Sequence, residues 1–144
     1  MTRIVVGLDG SPQGERALAH AKRLARLIGD CELVLVYVIE WTPYSFHNAE
    51  ELAERHRRRE QEIGQARDYV LKPAVTAAEA EAFQVLPIVR HGDAADILEA
   101  IAIEHGAAQI VIGRTGARNF RERLFGGVAG RLIAAASVPV TIIP

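Results

Sequence analysis

Two patterns of hydrophobic residues alternate along the chain. Short, continuously apolar runs are typical of strands in a parallel sheet, which is buried on both faces. They predict five strands, at residues 3–9, 32–39, 85–90, 109–112 and 138–144. Stretches with apolar residues every three or four positions predict helices between the strands, at residues 12–28, 49–83, 94–105 and 128–136.

Strands and helices therefore follow one another as β-α-β-α-β-α-β-α-β, with no internal repeat and no linker. This order predicts a single α/β domain over residues 1–144, with a parallel sheet covered by helices on both faces. Pro87 lies inside the third predicted strand. Because proline cannot donate to an interior ladder, that strand is expected at an edge of the sheet.

Residues with capping or stopping properties mark several helix ends. Ser11 is a good N-cap, and Pro12 suits the first position of the first helix. Asp93 is the corresponding N-cap of the third helix. Gly29 and Gly106 are expected to end these two helices. The charged second helix is expected to break near Pro73.

Composition and charge narrow the function classes. The 144 residues carry 17 basic and 18 acidic side chains, so a net charge of −1 gives no general attraction to nucleic acid or anionic membranes. The single cysteine, Cys31, cannot form an internal disulfide, and the five histidines show no metal-ligand spacing. The N-terminus lacks a signal-peptide pattern, and the longest apolar run, residues 33–39, is too short to span a bilayer. A cytoplasmic location is expected.

The main candidate for chemistry is a glycine-rich segment between the fourth strand and the last helix. It contains Gly113, Gly116, Gly126 and Gly127. Five arginines stand in or beside it against Glu122 alone, which gives a local charge of +4: Arg114, Arg118, Arg121, Arg123 and Arg131. Glycines allow close backbone approach, and the N–H groups at a helix start attract anions. The segment predicts a phosphate-binding loop.

The spacing of these glycines matches neither of two common phosphate motifs. No Gly-Lys-Ser/Thr follows, as a Walker loop requires, and the Gly-x-Gly-x-x-Gly of dinucleotide folds is absent. The alternative for the glycines alone is purely structural, with two that end a strand and two that open a helix.

The spacing resembles the signature of the universal stress protein family, which is Gly-x-x-Gly, nine residues, then Gly-Ser/Thr. Gly113, Gly116 and Gly126 match it, whereas Gly127 replaces the hydroxyl residue. Four further segments look like recurrent parts of the family: Val-Val-Gly-Leu-Asp-Gly-Ser, Val-Tyr-Val-Ile, His-Gly-Asp-Ala-Ala-Asp-Ile-Leu and Ser-Val-Pro-Val. The resemblance implies a doubly wound, Rossmann-like sheet with strand order 3-2-1-4-5.

The resemblance also implies a nucleotide site. Asp9 would contact ribose hydroxyls or a phosphate-bound metal, and the alternative is a turn or capping aspartate. The Val38 backbone would contact adenine. Phosphates would lie on the four glycines and the amide of Val128, and Arg114 and Arg118 would reach phosphate oxygens or stay solvated. The implied binding set is Gly7, Asp9, Val38, Gly113, Arg114, Gly116, Gly126, Gly127 and Val128.

The predicted function is that of an ATP-binding regulatory protein, with or without Mg²⁺, that acts on an unidentified protein partner. The alternatives are a nucleotide-independent interaction module of the same fold and a slow ATPase. No dedicated catalytic site is visible, because Ser11 has no evident His/Asp relay and no carboxylate pair is placed for acid–base work. A receiver domain would need paired acids beside Asp9 and a lysine after strand five, and a flavodoxin a hydroxyl-rich loop after strand one.

The last strand raises a question of assembly. In the order 3-2-1-4-5 it lies at an edge, and residues 140–143 are apolar enough to invite pairing with another chain. Pro139 and Pro144 block only its two ends. A two-fold pairing of these strands would give a closed homodimer, as is usual in the family. The alternative is a monomer in which residues 49–83 cover the edge.

Overall fold

The computed structural model describes residues 1–40, 49–114 and 127–144. Their strands form one five-stranded, all-parallel sheet in the order β3-β2-β1-β4-β5, which confirms the predicted fold class and strand order. The strands are β1 Thr2–Leu8, β2 Cys31–Glu40, β3 Gln84–Gly92, β4 Gln109–Gly113 and β5 Val140–Ile143. The last strand therefore begins two residues later than predicted.

Helices cover both faces of the sheet. They are α1 Pro12–Ile28, α2 Ala49–Ala66, α3 Lys72–Ala80, α4 Ala94–Glu104 and α5 Val128–Ala135, with a π turn at Arg67–Leu71. Alternate residues of β1 point to opposite sides, so Ile4 and Val6 pack with residues of α1 and α3, whereas Val5 packs with residues of α4 and α5. The sheet thus separates two apolar layers, and its edges stay accessible.

The predicted caps are present at both helices. The Ser11 hydroxyl accepts a hydrogen bond from the Gly14 N–H at 3.1 Å, and an Asp93 carboxylate oxygen accepts one from the Asp96 N–H at 3.1 Å. Gly29 follows α1 with a φ of 88°, a value that few other residues adopt. These caps were readable from the sequence because each depends only on neighbouring residues.

The long helix predicted at residues 49–83, with a break expected near Pro73, is divided just before that proline. The π turn separates α2 from α3, and α3 ends at Ala80 rather than at residue 83. Within the turn, the Lys72 N–H donates to the Arg67 carbonyl, five residues back. Pro73 follows immediately, and its ring would press on the carbonyl of residue 69 in a regular α-helix. We attribute the wider turn to this proline, because a π turn lets the backbone avoid that contact.

The edge position predicted from Pro87 is confirmed. In the described part of the chain β3 pairs with β2 alone, and Pro87 lies opposite Leu35 in that ladder with its ring exposed. Strand β2 extends through Glu40, and residues 41–48 lie outside the described residues. No helix in the described ranges has the length and apolar character required to cross a bilayer.

Helix α3 ends in an arrangement that normally uses glycine. The Phe83 N–H donates to the Ala78 carbonyl at 3.0 Å, and the Ala82 N–H donates to the Glu79 carbonyl at 2.9 Å. This hydrogen-bond pair is the Schellman motif, in which the left-handed position is usually a glycine. Here Ala82 occupies it with a φ of 67°. Its methyl group makes that conformation unfavourable.

We therefore expect Ala82→Gly to stabilise the protein, by about 1 kcal/mol, because the left-handed strain disappears. The measurement is the free energy of unfolding from urea titration. Gly106→Ala is the matched control, since Gly106 holds the same position after α4 with a φ of 58° and should lose stability when substituted. A destabilised Ala82→Gly variant would contradict the explanation.

Candidate functional site

The carboxyl ends of β1 and β4 meet at one edge of the sheet, because these two strands pair in parallel. The turn that starts at Asp9 follows β1, and Gly113 ends β4. The first turn of α1 lies directly against Gly113. A Cβ atom at this position would stand 2.7 Å from the Gln13 Cβ and 3.0 Å from the Gln13 carbonyl carbon. Only glycine allows the end of β4 and the start of α1 to come this close.

Asp9 is held at the N-terminus of α1. One of its carboxylate oxygens accepts a hydrogen bond from the Ser11 N–H at 2.9 Å. A side chain at Gly14 would stand 3.0 Å from the same oxygen, so Gly14 lets the helix start lie close to the carboxylate. This geometry gives Asp9 the turn role that the sequence allowed as the alternative. The contact of this carboxylate with a ribose stays a prediction. The hydrogen bond from Ser11 already fixes the position of the carboxylate at the crevice.

Gly7 has a packing reason for being glycine. A Cβ atom there would stand 2.9 Å from the Ile112 Cγ2 and 3.3 Å from a Leu98 Cδ atom. The missing side chain thus makes room for α4 and β4 on that face of the sheet. Any contact of Gly7 with a ligand would involve its backbone alone and stays a prediction.

Val38 lies near the end of β2 opposite Arg90, and its side chain packs into the layer of α4 and α5. The contact of its backbone with adenine stays a prediction. Its neighbour Tyr37 was not recognised from the sequence. Burial raises the pKa of the Tyr37 phenol, and the carboxylates of Asp9 and Glu62 raise it further. The negative charges of Asp9 and Glu62 thus act on the Tyr37 phenol on the β1–β2 side of the edge.

Helix α2 approaches the same region through Glu62. The His91 Nε2 stands 3.5 Å from a Glu62 carboxylate oxygen, and the His91 side chain is only 16% exposed. His91 lies near the end of β3, opposite Ile39 of β2. The last turns of α2 therefore lie near the carboxyl ends of β2 and β3. No sequence motif indicated this contact, because Glu62 and His91 are distant along the chain.

Within the described residues, the N-terminus of α5 has no side-chain cap, unlike those of α1 and α4. Gly127 is its N-cap and supplies no side-chain hydrogen bond to the helix. The first N–H groups of any α-helix lack intrahelical partners, so those at the start of α5, beginning with Val128, need an acceptor from elsewhere. The Arg131 N–H, one turn further on, bonds to the Gly127 carbonyl at 3.2 Å. This end can bind an anion with backbone donors.

Two of the five candidate arginines can be placed. The Arg114 side chain is exposed, and its backbone N–H donates to the Ile143 carbonyl at 2.7 Å, which fixes it where β4 leaves the sheet. The Arg131 guanidinium pairs with the Asp93 carboxylate of α4. The other candidates lie in residues 115–126, outside the described residues: Gly116, Arg118, Arg121, Arg123 and Gly126.

The described residues suit the phosphate part of a nucleotide better than a metal bound by protein alone. Backbone donors at α5 and the positive Arg114 match an anion in charge and in hydrogen bonding. Within the described ranges, no group of three or more His, Cys, Asp or Glu side chains is arranged to hold a metal ion. A magnesium ion that accompanied a nucleotide would rely on phosphate oxygens for much of its coordination.

Together these features define a doubly wound parallel α/β domain with a crevice at its topological switch point, where such folds bind ligands. The sequence pattern of the universal stress protein family matches residues 1–144. This chain belongs to that family.

Individual relatives support the assignment. A universal stress protein of Methanocaldococcus jannaschii is 30% identical over 141 residues, which make up 98% of this chain and 81% of that protein. A solved family member from Burkholderia pseudomallei is 28% identical with a TM-score of 0.66, over 99% of this chain and 96% of that one. The universal stress protein of Archaeoglobus fulgidus, solved in complex with dAMP, is 26% identical with a TM-score of 0.62, over 100% and 98% of the two chains.

Proposed function

We propose that this protein binds an adenine nucleotide, ATP in particular, in the crevice between β1 and β4, and that the bound nucleotide regulates its interaction with a protein partner. The observation that carries the proposal is the uncapped N-terminus of α5. Ser11 caps α1 and Asp93 caps α4, whereas Gly127 supplies no side-chain acceptor to α5. A phosphate group would accept hydrogen bonds from the first N–H groups of α5 and would interact favourably with the helix dipole.

Charge divides the crevice in a way that would orient the ligand. Asp9 and Glu62 place negative charge near Tyr37 on the β1–β2 side, while Arg114 stands at the end of β4. Phosphates would bind toward Arg114 and α5, and ribose hydroxyls would donate to Asp9. The Val38 backbone lies on the remaining side, where adenine would bind. This orientation agrees with the roles that the family resemblance implied for these residues.

The dAMP complex of the Archaeoglobus fulgidus protein supports the ligand class. ATP rather than a monophosphate is the finer part of the proposal, and the arginine-rich composition of residues 114–123 favours it, because each additional phosphate adds negative charge. Mg²⁺ would then accompany the nucleotide. A cytoplasmic location, the absence of a nucleic-acid partner and a single domain over residues 1–144 belong to the same proposal.

One observation favours a second candidate function. Gly127 lacks the hydroxyl that the family signature has at this position, and the structure shows no side-chain substitute within α5. A protein with weakened phosphate binding would act as a nucleotide-independent interaction module of the same fold. No described residue favours the slow-ATPase alternative.

Calorimetric titration separates these candidates. We expect ATP to bind and GTP to bind more weakly, because backbone contacts at Val38 would be shaped to adenine. Gly116→Val should abolish ATP binding while the unfolding transition stays cooperative, since a side chain would block the approach of the phosphate. Absence of heat with ATP in the unmodified protein, together with no copurifying nucleotide by mass analysis, would favour the interaction module.

The missing hydroxyl makes a further prediction. Gly127→Ser should tighten ATP binding by up to about tenfold, or ~1.4 kcal/mol, because it restores one hydrogen bond to a charged group. The variants should be compared at matched stability, since serine also caps the helix. Equal or weaker binding by the serine variant would mean that the hydroxyl does not contribute here.

We also propose a homodimer through β5. This strand lies at the sheet edge and, among the described residues, pairs with β4 alone. The carbonyls of Pro139 and Ile143 accept from β4 and its following residue, at 2.9 and 2.7 Å. Because successive residues of a strand face opposite sides, the N–H and carbonyl groups of Val140 and Ile142 point away from β4. They are free to pair with a second copy.

Val140→Pro is therefore expected to yield monomers by sedimentation, because it removes an outward N–H without breaking a hydrogen bond to β4. Val140→Thr keeps that N–H and should stay dimeric, which makes it the matched control. An unmodified protein that sediments as a monomer at micromolar concentration would overturn the proposed dimer.

A further inference from the structure

Helix α5 depends on its neighbours more than the other described helices do. It has only eight residues, and its one fully buried side chain is Leu132, at 1% exposure. An isolated helix of this length is not stable in water, and Gly127 gives it no side-chain cap. The direction in which its first N–H groups point must therefore be set by contacts with other elements.

The strongest such contact joins the N-termini of α4 and α5. The Arg131 guanidinium of α5 donates to a carboxylate oxygen of Asp93, which is also the N-cap of α4. Burial raises the pKa of Asp93, but hydrogen bonds from the Asp96 N–H, the Arg131 guanidinium and the Ala95 N–H outweigh it, so the net pKa is lowered. Asp93 is thus an anion at neutral pH and a stable partner for Arg131.

The pair also places a negative charge near the N-terminus of α5. No acidic residue stands in the first turn of α5, and a cation one turn from a helix N-terminus opposes the helix dipole. Asp93 supplies the missing negative charge from α4. A second contact holds the other end of α5, where Glu99 of α4 accepts hydrogen bonds from the Ser137 N–H at 2.9 and 3.1 Å. Helix α5 is fastened to α4 at both ends.

We infer that Asp93 and Arg131 are positioning residues that hold the first turn of α5 in the orientation needed to bind phosphate. The inference rests on the proposed nucleotide function. It assigns Arg131 to α4 rather than to the phosphate, so the guanidinium acts through the helix and does not contact the ligand. Asp93, which formally repels an anion, then supports anion binding. Positioning predicts that loss of the Asp93 charge weakens anion binding, whereas direct contact of Arg131 with phosphate predicts the opposite.

Hydrogen exchange tests the structural step without any nucleotide. The amide of Arg131 bonds to the Gly127 carbonyl, and the amide of Ala136 bonds to the Leu132 carbonyl at 2.8 Å. Arg131→Met and Asp93→Asn should each speed hydrogen exchange at the backbone amide of residue 131. Asparagine keeps the N-cap of α4, so that helix should stay protected. Glu99→Gln is the matched control and should affect the Ala136 and Ser137 amides instead.

Titrations with ATP and adenosine test the functional step. Both variants at the Asp93–Arg131 pair should weaken ATP binding by about fivefold, the upper range for a partly exposed ion pair, and should leave adenosine binding within about twofold. Arg131→Lys should recover much of the loss. The double variant should bind no worse than either single one, because each already breaks the same pair. Glu99→Gln should leave the ratio of the two affinities unchanged.

Several outcomes would overturn the inference. Tighter ATP binding by Asp93→Asn would show that Arg131 binds phosphate directly once released. Unchanged hydrogen exchange at the backbone amide of residue 131 in both variants would show that the Asp93–Arg131 pair does not order the first turn of α5. This conclusion would hold whether or not nucleotide binding changes. If the unmodified protein binds neither ATP nor adenosine, the proposed function fails, and the exchange data still decide whether the pair positions α5.

Discussion

Parallel pairing of β1 with β4 is the constraint on which the candidate site depends. The pairing aligns Val6 with Val111, so the turn after β1 and the end of β4 emerge at the same edge of the sheet. Helix α1 starts between them, close enough to Gly113 that any side chain there would overlap Gln13. The crevice is therefore a consequence of strand order, and the glycine at its base is required by packing before any ligand binds.

Three helix N-termini lie along this edge, and they differ in what satisfies their backbone donors. Ser11 and Asp93 are caps within their own helices, whereas Gly127 leaves the donors of α5 to be satisfied from outside. The same lack of a cap makes α5 suitable for an anion and weak as a helix. Its contacts with α4, through Arg131 and Glu99, offset that weakness.

The electrostatics of the site follow from the same arrangement. The carboxylates of Asp9 and Glu62 act on Tyr37 near the end of β2, which α2 contacts, while Arg114 marks the end of β4. A ligand with hydroxyls at one end and negative charge at the other fits this division, as an adenine nucleotide would. The net charge of −1 for the whole chain does not reveal this division, because the opposite charges lie on different sides of the crevice.

The sequence by itself determined the features that depend on local chemistry: five apolar strands, the caps at Ser11 and Asp93, and the glycine spacing that led to the family and hence to the strand order. The tertiary structure decided which distant side chains meet. Tyr37 lies near Asp9 and Glu62, and Arg131 reaches across to Asp93, because β1 lies beside β2 and α4 beside α5. These pairs join residues up to 38 positions apart, and no periodicity along the chain records such contacts.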